Sequence, residues 1–137
     1  MDGQKNSPVF VAVVDDESDI AYLFRDALNN IPGVRAFGFS DPILALEHFR
    51  DNQRVYKCII SDYRMPSMNG IELLEKVKEM NAEIARVLIS AFEIEDKVFS
   101  QHQCVDLFLQ KPVKIQDLIV KVKKFLNPIK VKKPKPR

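Results

Sequence analysis

Hydrophobic positions along the chain alternate between two textures. Short unbroken apolar runs recur at Val9–Val14, Val34–Phe39, 58–61, 87–90 and 107–109. Runs with no polar alternation suit strands that are covered on both faces, as in a parallel sheet. Between them lie longer stretches with helical spacing. Ile20, Leu23, Phe24, Ala27 and Leu28 follow the i, i+3, i+4, i+7, i+8 rule, with Ser18 or Asp19 placed to cap the start. Ile115, Leu118, Ile119, Val122, Phe125 and Leu126 repeat that pattern near the end. Another helix is expected over 44–49, after Ser40-Asp41-Pro42, where a polar cap precedes a proline in the first turn. A further one is expected over 71–80, after Asn69-Gly70. The stretch 93–103 has only Ile94 and Val98 correctly spaced, and reads as a marginally stable helix with freedom to move.

A strand-helix unit repeated five times predicts an α/β fold: an open parallel sheet between two layers of helices. Right-handed crossovers bring the carboxyl ends of all the strands to one edge, and ligands of such sheets bind there. Periodicity stops after Asn127-Pro128. The expected organisation is a flexible N-terminus over 1–7, a single domain over 8–127, and a tail or linker over 128–137.

Composition adds bounds. Apolar residues make up 46% of the 137 positions and charged residues 29%, which is globular and not disordered composition. The apolar runs are far too short to span a bilayer, and the first residues do not resemble a signal peptide. Cys58 and Cys104 lack metal-ligand spacing and are read as reduced thiols, so the expected location is cytoplasmic. His48 and His102 have no carboxylate or cysteine at ligand spacing; His48 is expected on a helix surface. The net charge of +2 hides an asymmetry: the last eight positions hold five bases and no acid, leaving 16 bases against 19 acids in the body. The body is mildly acidic. The proline-containing basic tail is read as extended coil or linker rather than as a nucleic-acid contact.

Chemistry concentrates at the ends of the apolar runs. Asp15-Asp16 follows the first, Asp62 the third, Ser90 the fourth and Lys111-Pro112 the fifth. The fold brings all five side chains to one edge. Three carboxylates raise one another's pKa, and a hard divalent ion such as Mg2+ relieves the repulsion while keeping several waters. Lys111 supplies a second positive charge. A cleft with a metal ion, an ammonium and a hydroxyl suits a phosphoryl group, and a carboxylate can accept one as an acyl phosphate. Taken alone, the acidic cluster is better read as a solvated turn or helix cap, since carboxylates favour helix N-termini.

Four motifs in this order resemble the receiver domain of two-component response regulators: Asp15-Asp16-Glu17, the stretch DYRMPSMNG from Asp62 to Gly70, Leu88-Ile89-Ser90-Ala91, and Phe108-Leu109-Gln110-Lys111-Pro112. The resemblance covers 9–126. It implies a flavodoxin-like (βα)5 fold with strand order 2-1-3-4-5. It further implies that Asp62 is the phosphoacceptor, served by a sensor histidine kinase or a phosphotransfer protein. Asp15, Asp16, Asp62 and the backbone carbonyl of Arg64 would hold Mg2+ (or Mn2+). Ser90 and Phe108 would be switch residues, Lys111 would pair with the phosphoryl oxygens, and the Lys111–Pro112 bond would be cis, a state adopted by about 5% of X–Pro bonds. Arg64 and Phe92 flank the site and would govern water access. A downstream effector domain or protein would read the face made by the fourth helix, fifth strand and fifth helix; the family also allows phosphorylation-dependent homodimers. Ser90 stands where threonine is also common, Phe108 where tyrosine is more frequent, and Gln103-Cys104-Val105-Asp106 where Gly-Ala is usual.

Three rival readings exist. A flavodoxin-like cofactor binder needs a Ser/Thr- and Gly-rich loop after the first strand, where this chain has DDESD. A haloacid-dehalogenase-like phosphatase carries Asp-x-Asp there rather than Asp-Asp-Glu. A receiver-shaped module that is never phosphorylated has no need of the acidic pair or of Lys111.

Overall fold

A computed structural model describes residues 7–91 and 104–126. Phe92, the stretch 93–103 and the basic tail lie outside the described residues. The strands are β1 (Val9–Val14), β2 (Val34–Phe39), β3 (Tyr56–Asp62), β4 (Ala85–Ser90) and β5 (Leu107–Gln110). The described helices are α1 (Ser18–Leu28), α2 (Pro42–Asp51), α3 (Gly70–Met80) and α4 (Ile115–Leu126). All strand pairs are parallel and the order is β2-β1-β3-β4-β5, the flavodoxin-like arrangement expected.

Each strand feeds two cores because successive side chains point to opposite faces. Val11 and Val13 of β1, Cys58 and Ile60 of β3, and Val87 and Ile89 of β4 pack with Phe24 and Leu28 of α1 and Leu118 and Val122 of α4. The intervening Ala12, Val14, Ile59 and Leu88 pack with Ala45 and Phe49 of α2 and Leu73, Leu74 and Val77 of α3. Burying each large apolar side chain stabilises the fold by ~1.5–3 kcal/mol, and the central strands, covered on both faces, supply such side chains to both cores.

Local signals set the helix ends. Asp41 caps α2 by accepting from Ile43 N at 2.9 Å, with Pro42 in the first turn. Asn69 and Glu72 form a reciprocal capping box at α3, both bonds at 2.9 Å. The cap expected from Ser18 or Asp19 is absent. Glu17 occupies the cap position of α1 and makes no side-chain cap bond, while Asp15 Oδ1 accepts from Glu17 N at 2.9 Å. The carboxylate that orders this turn lies upstream, so Ser18 and Asp19 fall inside the first turn.

Two polar side chains pack into the interior layers. His48 is half-buried rather than free on the helix surface: its Nδ1 lies 2.8 Å from the hydroxyl of fully buried Tyr56, and its ring packs among Phe10, Phe37 and Phe39. Arg86 is buried within β4. It donates to the carbonyls of Ala82 (2.9 Å), Ile84 (2.7 Å) and Cys104 (2.6 Å) and pairs with Asp106 at 3.6 Å, tying β4 to the entry of β5. Among the described residues, no helix is long and apolar enough to cross a membrane.

Candidate active site

The carboxyl ends of β1, β3, β4 and β5 deliver the reactive groups. Asp15 follows β1 directly and its amide donates to Phe39 O of β2 at 3.0 Å, so the backbone is held while the side chain turns into the cleft. Asp62 and Ser90 are the last residues of β3 and β4 rather than the first beyond them. Lys111 follows β5, and its amide donates to Ser90 O at 2.7 Å, extending the pairing by one step.

Oxygens of Asp15, Asp16 and Asp62 lie within 4.8 Å of one another. Asp15 and Asp62 are buried and Asp16 faces solvent. The Lys111 ammonium, 96 positions from Asp15 along the chain, sits 3.1 Å from Asp62 Oδ1 and 3.4 Å from Asp15 Oδ2. The ammonium thus faces two of the three carboxylates. Burial first, then the charge of Asp15, pushes the Asp62 pKa up, while Lys111 pulls it down less. For Lys111, burial opposes the charged form, but the hydrogen bond to Asp62 and the charges of Asp15 and Asp62 together raise its pKa. The excess negative charge and the all-oxygen donor set fit a hard divalent cation.

Beside the carboxylates opens a cleft of about 520 Å3 lined by Asp16, Tyr63, Arg64, Met65, Pro66 and Asn69. Its floor is the turn from β3 into α3, where Gly70 N donates to Tyr63 O at 2.8 Å. A Cβ on Gly70 would lie 2.3 Å from Asp62 O and 2.7 Å from a Leu88 methyl, so only glycine lets the helix start this close to Asp62. On the other side, Ser90 is buried, and Phe108 pairs with Leu88 across β4 and β5 and packs on the α2–α3 core. The Lys111–Pro112 peptide bond is cis. The structure therefore brings Asp15, Asp16, Asp62, Ser90, Lys111 and Arg64 to one edge; Phe92 lies outside the described residues.

The family model of the response regulator receiver domain matches residues 11–123. The chain belongs to this family. Among its relatives, the two-component response regulator ARR16 of Arabidopsis thaliana is 32% identical over 98 residues, covering 67% of this chain and 58% of that protein. The transcriptional regulatory protein CpxR homolog of Haemophilus influenzae is 26% identical over 115 residues, 84% of this receiver and 49% of the relative. The receiver thus spans about half to three-fifths of the length of these two relatives. Solved structures agree on the fold. A receiver domain protein from Clostridium thermocellum superposes with a TM-score of 0.79 at 24% identity, over 90% of this chain and 98% of that one. The receiver domain of the Francisella response regulator 1452 gives 0.73 at 26% identity, over 88% and 98%.

The sequence pattern gave no weight to Ser61, whose buried hydroxyl donates to Asp62 O at 2.9 Å. A lone serine inside an apolar run carries no signal of such a contact.

Proposed function

We propose that this receiver accepts a phosphoryl group on Asp62 from the phosphohistidine of a sensor histidine kinase or a phosphotransfer protein, and passes the signal to a downstream effector domain or protein. The observation that carries the reading is the placement of the Asp62 carboxylate: buried, 3.1 Å from the Lys111 ammonium, and in one oxygen cluster with Asp15 and Asp16.

An Asp62 oxygen attacks phosphorus, so that an acyl P–O bond forms as the donor P–N bond breaks and the imidazole leaves. Lys111, already beside Asp62, pairs with the transferred oxygens and stabilises their charge. Asp15, Asp16, Asp62 and the Arg64 carbonyl would hold Mg2+ (or Mn2+), which when bound neutralises phosphoryl charge that a single ammonium leaves unbalanced. Ser90 then turns toward the phosphoryl group and Phe108 follows. This biases a two-state face made of residues 93–103, β5 and α4 toward the form an effector or a second copy binds. Arg64 and Phe92 govern the entry of the water that hydrolyses the acyl phosphate. The domain extends over 8–127, and 128–137 serves as tail or linker in a cytoplasmic regulator.

Incubation with acetyl phosphate and Mg2+, followed by intact-mass measurement, tests the reading. Wild type should gain one phosphoryl group; Asp62→Asn should gain none. Equal labelling of the two proteins would overturn it.

A further inference from the structure

We infer that Ser61 is a positioning residue for the phosphoacceptor site, acting through the peptide unit that joins Asp62 to Tyr63; the inference rests on the function proposed above.

The two ends of that one peptide plane are held by different strands. Its carbonyl, Asp62 O, accepts from the Ser61 hydroxyl at 2.9 Å. Its amide, Tyr63 N, donates to Ile89 O of β4 at 2.8 Å. The α-carbon of Gly70 presses against the same carbonyl, so closely that a Cβ there would lie 2.3 Å from it. The next carbonyl, Tyr63 O, accepts from Gly70 N at 2.8 Å. Ser61 is fully buried. A hydroxyl in such a place costs free energy unless paired, and here it is paired with the backbone of its functional neighbour.

Rotation of this plane would move atoms on both sides of it. Upstream lies the Asp62 α-carbon, which sets where the carboxylate points relative to Lys111, Asp15 and Asp16. Downstream lies Arg64, whose carbonyl is a proposed metal ligand. Four atoms meant to share a cation must agree within a few tenths of an ångström. Ile89 fixes the plane through its amide, and among the described residues the Ser61 hydroxyl holds its carbonyl. The hydroxyl touches neither donor nor metal. It keeps two of the oxygens that would hold the metal in register.

Ser61→Ala removes one oxygen and adds no volume, so the variant should fold with native circular dichroism. Mg2+ is titrated into unphosphorylated protein, with binding followed by calorimetry and by amide shifts of Asp62 to Arg64. Ser61→Ala should weaken Mg2+ binding by roughly tenfold, the scale seen when a group supporting metal ligands is lost. Ser61→Thr, which keeps the hydroxyl on a strand that favours β-branching, should restore it. With acetyl phosphate, the Mg2+ concentration giving half-maximal labelling should rise in Ser61→Ala while the rate at saturating Mg2+ changes less. Wild-type Mg2+ affinity in Ser61→Ala would overturn the proposal, as would a folded Ser61→Thr protein as weakened as the alanine variant. Wild type that binds Mg2+ but is not labelled would instead count against the phosphoacceptor reading and leave the metal-register result to be read on its own.

Discussion

His48 shows how much one side chain can depend on partners far away in sequence. Tyr56 is buried and its pKa is raised by that burial, so its hydroxyl stays protonated and shares a hydrogen bond of 2.8 Å with Nδ1 of His48. Burial lowers the His48 pKa, with the nearby charge of Asp51 opposing the shift. The folded state therefore binds the proton less firmly than the unfolded chain, and stability falls as pH drops from about 6.5 toward the lowered native value. Urea midpoints measured from pH ~7.5 down to ~5 should decline, and decline less in His48→Gln. This contact was illegible in the sequence because the ring's neighbours come from β1, β2 and β3, and the periodicity of α2 alone placed it outward. The carboxylates and Lys111 were legible for the opposite reason: charged groups at the ends of unbroken apolar runs have few structural explanations.

At the scale of elements, the strands could be read wherever both faces are buried and were cut short wherever a polar residue intervenes. β3 starts two residues before the apolar run because Lys57 is exposed between buried Tyr56 and Cys58. β4 also starts early, and the obstacle there is Arg86. Its charge looks like a strand boundary, whereas its guanidinium is buried against three carbonyls and Asp106. That network links β4, the loop before it and the approach to β5, so its loss should be felt by all three. Arg86→Met should lower stability by ~3 kcal/mol in urea unfolding, because three carbonyls lose their donor and Asp106 loses its guanidinium contact while keeping the bond from the Arg86 amide. An unchanged midpoint would show that the network is solvated and replaceable. The α1 cap misled for a local reason: Asp15 serves the cleft and orders the following turn at once, leaving Ser18 with no capping task.

For the whole molecule, the order 2-1-3-4-5 was available only through family resemblance, since periodicity gives parallel strands but not their sequence across the sheet. That order places β1 and β3 side by side, and so sets Asp15 and Asp16 next to Asp62. A cluster of this kind strains the metal-free protein, and a ligand bound only by the folded state stabilises it. Mg2+ at a hundredfold excess over its dissociation constant should add about 2.7 kcal/mol to unfolding free energy. Asp16→Ala should remove that gain, as should chelation of the metal. Thermal melts with and without Mg2+ would measure both.

Cys58 sits in the middle strand with no exposed surface, its thiol pushed up to about 12 by burial and then by the charge of Asp106. Only the thiolate reacts readily with alkylating reagents, and here neither reagent nor hydroxide can reach the sulfur while the sheet is intact. Modification must wait for the sheet to come apart, so the rate of alkylation becomes a clock for rare opening under fully native conditions. The protein carries its own reporter of how often the cleft's scaffold dissolves, and of how far any bound cation slows that event.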